Sequence, residues 1–392
     1  MSVSNRFMSR LLEHLVELLD VPPSHYQRAT QRYQSFGDWL HRDGSRVAEY
    51  EPQVYAQGSF RFGTAIRPLT KKEEYDLDMV CELVLSKSDV SQRDLKELVG
   101  TEVKEYAQAN NFNEPAEEKK RCWRLNYADG VSFHMDILPA VPDDDEFKRL
   151  LVTRGMPAEF AELAIAITDR KHEKYRQISK DWPRSNPRGF AEWFESRMRR
   201  ISRARSIALV ANGAYASVDE VPTWDWKTPL QRAIQILKRH RDVMFQNDME
   251  FKPISMILTS LAARAYDGET ELDLALDGIL ERMPNFVRTQ APRVPNPVNE
   301  AEDFADRWAS DPRLERNFWS WHAQAIADLN AIRSENRESA LQTSLGRIFD
   351  VQLGSSQLAE VAGMMTTIVP AATRSPRVVP ISVAPQPWQS DD

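Results

Sequence analysis

One stretch of the sequence, residues 57–78, restricts the fold of this chain more than any other. It contains the pair Gly58 and Ser59. Further on it contains an Asp-x-Asp motif, residues 76–78, which begins with Asp76, ends with Asp78 and is followed by apolar residues. Side chains of a β-strand alternate between its two faces, so the triplet predicts a strand with both aspartates on one face. Two neighbouring carboxylates repel each other unless a cation neutralises them.

A divalent cation and a phosphate-bearing substrate suit this pattern. Mg²⁺ takes carboxylate oxygens and substrate phosphates as ligands. Gly58 lets the backbone approach a phosphate closely, and Ser59 adds a hydroxyl and an N–H donor. A third aspartate, Asp136, lies in the strand-like run 131–139. An isolated Asp-x-Asp is common on solvated strand edges, and it is the upstream turn, the apolar continuation and the third aspartate that together favour a metal site.

These features together are the pattern of the nucleotidyltransferase superfamily of the DNA polymerase β type. More closely, the chain resembles the bacterial cGAS/DncV-like nucleotidyltransferases (CD-NTases), the cyclic-oligonucleotide synthases of CBASS anti-phage systems. The motifs behind this resemblance are residues 57–64, 76–78, 134–140, 185–194 and 228–242. The first three define the superfamily and the last two point to the family, and the likeness extends over about residues 5–367.

The resemblance implies an α+β fold, in which a polymerase-β-like nucleotidyltransferase core (a mixed sheet flanked by helices) is joined to a helical C-terminal lobe. We expect the core, with bracing N-terminal helices, to comprise residues 1–168 and the helical lobe to comprise residues 169–367. Residues 368–392 are rich in proline, serine, threonine and valine, which predicts a disordered tail.

Hydrophobic periodicity and turn signals place the main elements. An Asp-Gly pair at 129–130 indicates a hairpin whose second strand carries Asp136. The linker 283–300 holds four prolines. We expect the aspartates at 143–145 to lie in a solvated loop. Helices are predicted over residues 7–20, 24–43, 59–66, 91–109, 228–246, 258–266, 271–282 and 313–350.

The resemblance also implies roles for individual residues. Asp76, Asp78 and Asp136 would be the catalytic and metal-binding carboxylates, and they would hold two Mg²⁺ ions, with Mn²⁺ as an alternative. The implied nucleotide-binding residues are Gln57, Gly58, Ser59, Lys238 and Ser255. Without the resemblance, the sequence predicts a solvated Lys238 and a helix-capping Ser255. Arg61 and Arg67 are further candidates for phosphate contact, and Tyr55 and Tyr127 are candidates for stacking on a base.

Residues 170–206 form a basic segment with interleaved aromatic residues. The segment has 12 Lys or Arg against 4 Asp or Glu. Such a composition suits a nucleic-acid surface, a nucleotide or a protein partner. Phe190, Trp193 and Phe194 lie at helical i, i+3, i+4 spacing, however, which favours a helix that buries its aromatic side. Asn186 and Pro187 are expected to start that helix, with proline near its first position.

Charge and composition exclude several classes of protein. The net charge of −7 argues against general coating of nucleic acid, although a local basic groove stays open. Two cysteines cannot form a disulfide framework and match no zinc-binding spacing. No apolar run is long enough to cross a membrane, and no secretory leader is recognisable. We therefore expect a cytoplasmic protein with reduced thiols and no membrane partner.

The expected function is a Mg²⁺-dependent cyclic-oligonucleotide synthase. It would join ATP and other NTPs into a cyclic di- or trinucleotide, a second messenger that activates an anti-phage effector. CBASS accessory proteins that activate the enzyme or modify its tail are the further partners implied by the resemblance. Three alternatives stay open: a template-independent polymerase or tRNA-modifying enzyme with linear products, an enzyme that transfers nucleotidyl groups to small molecules or proteins, and a catalytically silent scaffold.

Overall fold

The structure is a computed structural model that describes residues 3–70, 74–127, 133–202, 224 and 226–366. The predicted hairpin turn at 129–130 and the predicted disordered tail 368–392 lie outside these residues.

A mixed β-sheet forms the centre of the N-terminal half. Its strands are β1 Gln53–Gln57, β2 Tyr75–Glu82, β3 Glu117–Glu118, β4 Trp123–Tyr127, β5 Phe133–Pro142, β6 Ile165–Ile167 and β7 Arg184–Ser185. The order across the sheet is β1-β2-β5-β4-β3, and β6 pairs with both β5 and β7. Strands β2 and β5 run parallel, and the other pairs of this sheet are antiparallel.

Helices flank this sheet and make up most of the C-terminal half. Their bounds are α1 Val3–Leu19, α2 Pro23–His41, α3 Gly58–Arg61, α4 Gln92–Ala109, α5 Asp145–Thr153, α6 Ala158–Ala161, α7 Pro187–Ser202, α8 Pro229–Met244, α9 Ser255–Ala265, α10 Leu272–Arg282, α11 Pro312–Ser334, α12 Glu338–Phe349 and α13 Ser355–Thr366. The predicted fold class, a mixed sheet flanked by helices with a helical C-terminal region, is confirmed.

Local sequence signals explain several of these helix boundaries. Pro187 occupies the first turn of α7, as predicted, and the Asn186 side chain accepts a hydrogen bond from the Gly189 N–H. Thr228 caps α8 in a capping box with Gln231, and Pro229 occupies the first position of that helix. Both motifs satisfy donors that a helix start otherwise leaves unpaired.

Three predicted elements differ from the structure. The helix predicted over residues 59–66 is the single turn α3, which ends at Arg61. The helix predicted over residues 313–350 is divided into α11 and α12, with residues 335–337 between them. The proline-rich linker 283–300 contains structure of its own: β8 Pro295–Asn296 pairs with β9 Asn299–Asp303 in a hairpin. Proline is tolerated there because the two strands form a short edge ribbon.

The two largest hydrophobic cores among the described residues lie behind these elements. One joins the apolar faces of the sheet, α2 and α4, and includes Leu77, Met135 and Trp123. The other joins α1 to α7 and the helices from α8 onward, with Leu11 and Phe194 fully buried. Burial of Phe190 and Phe194 confirms that α7 turns its aromatic side inward. Helix α1 therefore packs with the C-terminal helices, whereas α2 packs with the sheet. The domain boundaries at 168/169 and 367/368 stay predictions.

The acidic run at 143–145 was expected in a solvated loop, and this expectation is wrong for Asp143. Asp143 is buried, pairs with Lys87 and lies 3.3 Å from Arg184. The side chain of Asp144 accepts a hydrogen bond from the Phe147 N–H and thereby caps α5. Buried charges are stable only when they are paired, so this cluster serves the fold. Among the described residues, no helix is long and apolar enough to span a membrane.

Candidate active site

The parallel pairing of β2 and β5 brings the three predicted aspartates together. In this register Asp78 lies directly beside Asp136, and Asp76 lies beside His134. Burial along β2 alternates, with Asp76 and Asp78 on the more accessible face and Leu77 in the core. Strand geometry therefore gathers three carboxylates on one face of the sheet, although more than 50 residues separate Asp78 from Asp136 in the chain.

Gly58 lies against this carboxylate group. β1 pairs with β2 so that Gln57 lies opposite Asp78, and α3 begins at the next residue. Gly58 has a φ of +68°, and a Cβ atom built on it would overlap Oδ2 of Asp78. Both the left-handed backbone and the close approach require glycine here. The turn that carries Ser59 is thus held next to Asp78 by the sheet.

The electrostatic environment of Asp78 fits a cation site. Burial, followed by the charges of Asp76 and Asp136, raises the pKa of Asp78 to about 7. A carboxylate in that position costs free energy unless a positive charge or hydrogen-bond donors compensate it. The donor set is made of carboxylate oxygens, which Mg²⁺ prefers.

An arginine that the sequence analysis did not single out binds the third aspartate. The Arg124 guanidinium donates two hydrogen bonds of 2.7 Å to the two carboxylate oxygens of Asp136. Among the described residues, no three His, Cys, Asp or Glu side chains are arranged as a metal-binding group. Both carboxylate oxygens of Asp136 are thus held by Arg124, and the divalent-cation site at the three aspartates stays a prediction. Antiparallel pairing of β4 with β5 places Arg124 opposite Asp136, and the predicted hairpin was the signal that could have revealed this pair.

A cavity of about 250 Å³ opens beside Asp78. It lies between the sheet and the C-terminal half of the chain. Its lining includes Gln57, Gly58, Asp78, Asn186, Met256, Asn296, Glu302 and Phe304. The β8–β9 hairpin, which begins in the predicted linker 283–300 and extends beyond it, supplies part of this lining. No periodicity marked those residues, because the hairpin is short and interrupted by prolines.

Lys238 is buried, so the expectation of a solvated lysine is wrong. Its side chain is 4% exposed, and its Nζ donates hydrogen bonds of 3.0 Å to both the carbonyl and the hydroxyl of Thr64. The Thr64 N–H in turn donates to the carbonyl of Ser59. Burial, and secondly the charge of Arg241, lowers the pKa of Lys238 to about 7. The structure therefore brings Lys238 to the loop that closes the Gly-Ser turn.

Ser255 is exposed and is the first residue of α9. Its hydroxyl accepts a hydrogen bond of 3.0 Å from the Arg241 guanidinium. It does not act as the helix cap that the sequence alone predicted, because Ile254 occupies the cap position. The next residue, Met256, lines the cavity.

The remaining candidates have other contacts. Arg61 forms an ion pair of 2.7 Å with Glu195 of α7, and the Arg67 side chain donates to the carbonyl of Asp20. Tyr55 is buried beneath the guanidinium of Arg188, which lies 3.7 Å from its ring centroid. Tyr127 packs on Phe112 and lines a second cleft. Neither tyrosine lines the cavity beside Asp78.

The sheet order, the carboxylates on two parallel strands and the glycine turn against Asp78 define a nucleotidyltransferase of the polymerase β type. The sequence profile of the nucleotidyltransferase domain of cyclic GMP-AMP synthase DncV-like proteins matches residues 52–139. This range contains the Gly-Ser turn and all three aspartates.

Curated relatives extend the match over most of the chain. A c-di-GMP synthase from Roseivirga ehrenbergii is 30% identical over 314 residues, 79% of this chain and 75% of the relative. The cyclic dinucleotide synthase CdnG of Bradyrhizobium diazoefficiens is 25% identical over 355 residues, 83% of this chain and 76% of CdnG. The chain therefore belongs to the cGAS/DncV-like nucleotidyltransferases, as its motifs predicted.

Solved structures agree in fold. CdnG from B. diazoefficiens, determined with GTP, superposes with a TM-score of 0.62 at 22% identity and covers 92% of this chain and 99% of that chain. CdnC from E. coli, determined with a HORMA protein, has a TM-score of 0.58 at 12% identity over 88% of this chain and 98% of that chain. Nucleotidyltransferase identity is confirmed, and the family implies dependence on a divalent metal. The roles of the individual site residues stay predictions.

Proposed function

We propose that this chain joins two nucleoside triphosphates into a cyclic dinucleotide and releases pyrophosphate at each bond formed. The observation that carries this proposal is the placement of Asp78 beside Asp136 and against Gly58, at the edge of a cavity between the two halves of the chain. The names of the two curated relatives, a c-di-GMP synthase and a cyclic dinucleotide synthase, support the cyclic product.

Each group at this site has a part in the proposed reaction. Asp76 and Asp78, with Asp136, would hold two Mg²⁺ ions, which when bound would lower the pKa of an acceptor hydroxyl and neutralise charge on the leaving pyrophosphate. Gly58 and Ser59 would place N–H and hydroxyl donors at the donor triphosphate. Lys238 and Ser255 would bind the same triphosphate from the C-terminal side. The protein mainly positions the α-phosphorus for in-line attack.

Arg124 would set the position of Asp136 before substrate binds. Its bidentate hydrogen bonds hold the carboxylate in the plane of the guanidinium. Release of one carboxylate oxygen would let Asp136 turn toward the acceptor hydroxyl. We propose that the product leaves as a second messenger for an anti-phage effector, in keeping with the CBASS setting of the family.

The test is product analysis with purified protein. The protein would be incubated with Mg²⁺ and all four radiolabelled NTPs, treated with phosphatase and examined by chromatography. A phosphatase-resistant product, absent with the Asp76→Asn variant, is the expected result. Products that phosphatase degrades fully would instead identify a linear polymerase. If no product forms, Mg²⁺-dependent NTP binding would separate an enzyme that needs an activating partner from a silent scaffold.

We expect Lys238→Met to raise the KM for NTP by about 10- to 100-fold with a smaller change in kcat, because one charge-assisted contact to the triphosphate is lost. Steady-state kinetics would measure this change. Methionine matches the length of the lysine chain and removes only the ammonium. Arg232→Met, at a partly exposed position of the same helix, is the control. An unchanged KM in the Lys238 variant would reject the role in triphosphate binding.

The lowered pKa of Lys238 predicts a pH dependence of NTP binding. A bound triphosphate favours the ammonium form, so binding raises this pKa above its free value of about 7 and requires proton uptake at higher pH. NTP affinity should therefore fall as pH rises above 7, by up to about tenfold per pH unit. Calorimetry in buffers with different ionisation enthalpies would measure the proton uptake. Lys238→Met should abolish it, and an unaltered uptake in that variant would contradict the assignment.

A further inference from the structure

A further polar group that lines the cavity beside Asp78 lies on the β8–β9 hairpin. Glu302 lies on β9 and lines the cavity together with Asn296 and Phe304. The Asn296 side-chain amide donates a hydrogen bond of 2.6 Å to Oε2 of Glu302. The amide oxygen of Asn296 is itself fixed, since it accepts a hydrogen bond of 3.0 Å from the Val298 N–H. The hairpin thus holds the carboxylate in one orientation.

This carboxylate has hydrogen-bonding capacity that the fold does not use. Among the described residues, Asn296 is the one side chain that donates a hydrogen bond to Glu302. An ionised carboxylate accepts several hydrogen bonds, two of them side by side. Burial raises the pKa of Glu302, so the charged form is costly in the cavity unless further donors reach it. A ligand that brings a pair of donors would meet that need.

Among the nucleobases, guanine presents two adjacent donors, the ring N1–H and the exocyclic N2 amino group, on one edge. Adenine presents an acceptor, N1, where guanine has N1–H, and a carboxylate repels it. Cytosine and uracil each present at most one donor at the corresponding positions. Phe304, which lies two residues after Glu302 and also lines the cavity, offers an aromatic surface for a purine ring.

We propose that Glu302 is the base-specificity residue of this enzyme and selects guanine by accepting hydrogen bonds from N1–H and the N2 amino group. Asn296 is a positioning residue that orients the Glu302 carboxylate. The inference rests on the proposed function, because it places the base of a nucleotide substrate in the cavity that begins at Gly58 and Asp78. It assigns GTP as a preferred substrate and accounts for what the β8–β9 hairpin does at the site.

The test measures binding without turnover. Dissociation constants of the wild-type protein for GTP, ITP and ATP analogues with a non-cleavable α–β bond would be determined in Mg²⁺ by calorimetry. ITP has the same ring edge as GTP without the N2 amino group. We expect wild-type affinity in the order GTP, ITP, ATP, with the GTP analogue bound at least about tenfold more tightly than the ATP analogue.

Glu302→Gln replaces the carboxylate by an amide of the same shape. Its GTP affinity should fall at least about tenfold, the ATP affinity should stay or rise, and the difference between GTP and ITP should shrink. Glu300→Gln is the matched control, because Glu300 lies on the same strand, is exposed and pairs with Arg288. It should bind all three analogues as the wild type does. Thermal unfolding of both variants would show whether each is folded.

Each outcome of these measurements either supports or overturns the proposed role of Glu302 in selecting guanine. Equal affinity of the wild-type protein for the GTP and ATP analogues would overturn the inference without need of any variant. So would a Glu302→Gln protein that is folded and keeps the wild-type preference for GTP. Cyclic products made from bases other than guanine would leave the proposed function standing and reject this specificity. Absence of any nucleotide binding by the wild type would overturn both.

Discussion

Asp78→Asn is expected to lower the rate of nucleotidyl transfer by roughly a hundredfold to a thousandfold, while the protein stays folded. Asp78 lies between Asp136 on the neighbouring strand and Gly58 on the turn, so its carboxylate would be the central oxygen donor of the proposed metal site. Loss of one group that stabilises charge in a transition state commonly costs two to three orders of magnitude in rate. Asp76→Asn should behave in the same way.

We expect the Asp78→Asn variant to keep or gain stability although it loses activity. Asp78 is a desolvated carboxyl near two others, and its raised pKa reflects that repulsion. An asparagine removes the charge and keeps the shape, so thermal unfolding should be unchanged or should occur at a higher temperature. Asp89→Asn, an exposed position beyond the end of β2, should affect neither activity nor stability. Wild-type activity in the Asp78→Asn protein would refute the metal-site assignment.

Gly58→Ala is expected to lower activity by about a hundredfold or more and to reduce stability by roughly 1–3 kcal/mol. A Cβ atom at residue 58 would overlap Oδ2 of Asp78, and the positive φ of 68° is unfavourable for alanine. Either the turn or the carboxylate must move. A displacement of about 1 Å in a reacting group is enough for a loss of this size.

A second glycine, Gly44, separates the effect of backbone strain from the effect of the close approach to Asp78. Gly44 also has a positive φ, +83°, but nothing lies within 4 Å of a Cβ atom built on it. Gly44→Ala should therefore lose stability through backbone strain and keep its activity. Thermal unfolding and product formation would be measured for both variants. If the two variants lost activity equally, the close approach of Gly58 to Asp78 would not be required for catalysis.

Much of the site could be predicted because its signals are local. The Asp-x-Asp triplet needs only strand alternation to put Asp76 and Asp78 on one face, and the run around Asp136 is equally strand-like. Helix α8 begins where proline and a capping threonine place its start. The resemblance to the CD-NTases added what local patterns do not contain, namely the pairing of distant motifs and the expectation of a cyclic product.

Other features depend on contacts between residues far apart in the chain. The sequence around Lys238 predicts an ordinary surface lysine. Its burial follows from the packing of α8 beside Thr64. Asp143 belongs to an acidic run that suggests a solvated loop, yet Lys87 and Arg184 bury and pair it. Whether a charged side chain is buried depends on the residues that pack around it. Those residues are distant in the chain, so the sequence next to the charge does not identify them.

The candidate site, three carboxylates beside a glycine turn, is thus encoded in short motifs, because strand periodicity and glycine's conformational freedom act over a few residues. The shape of the cavity beside Asp78 is not encoded in such motifs. Glu302 and Asn296 come from a proline-rich hairpin without periodicity, and Arg124 and Asp136 meet through strand pairing. Such positions are set when the sheet and the C-terminal helices pack, since only packing brings residues separated by more than 200 positions into one cavity.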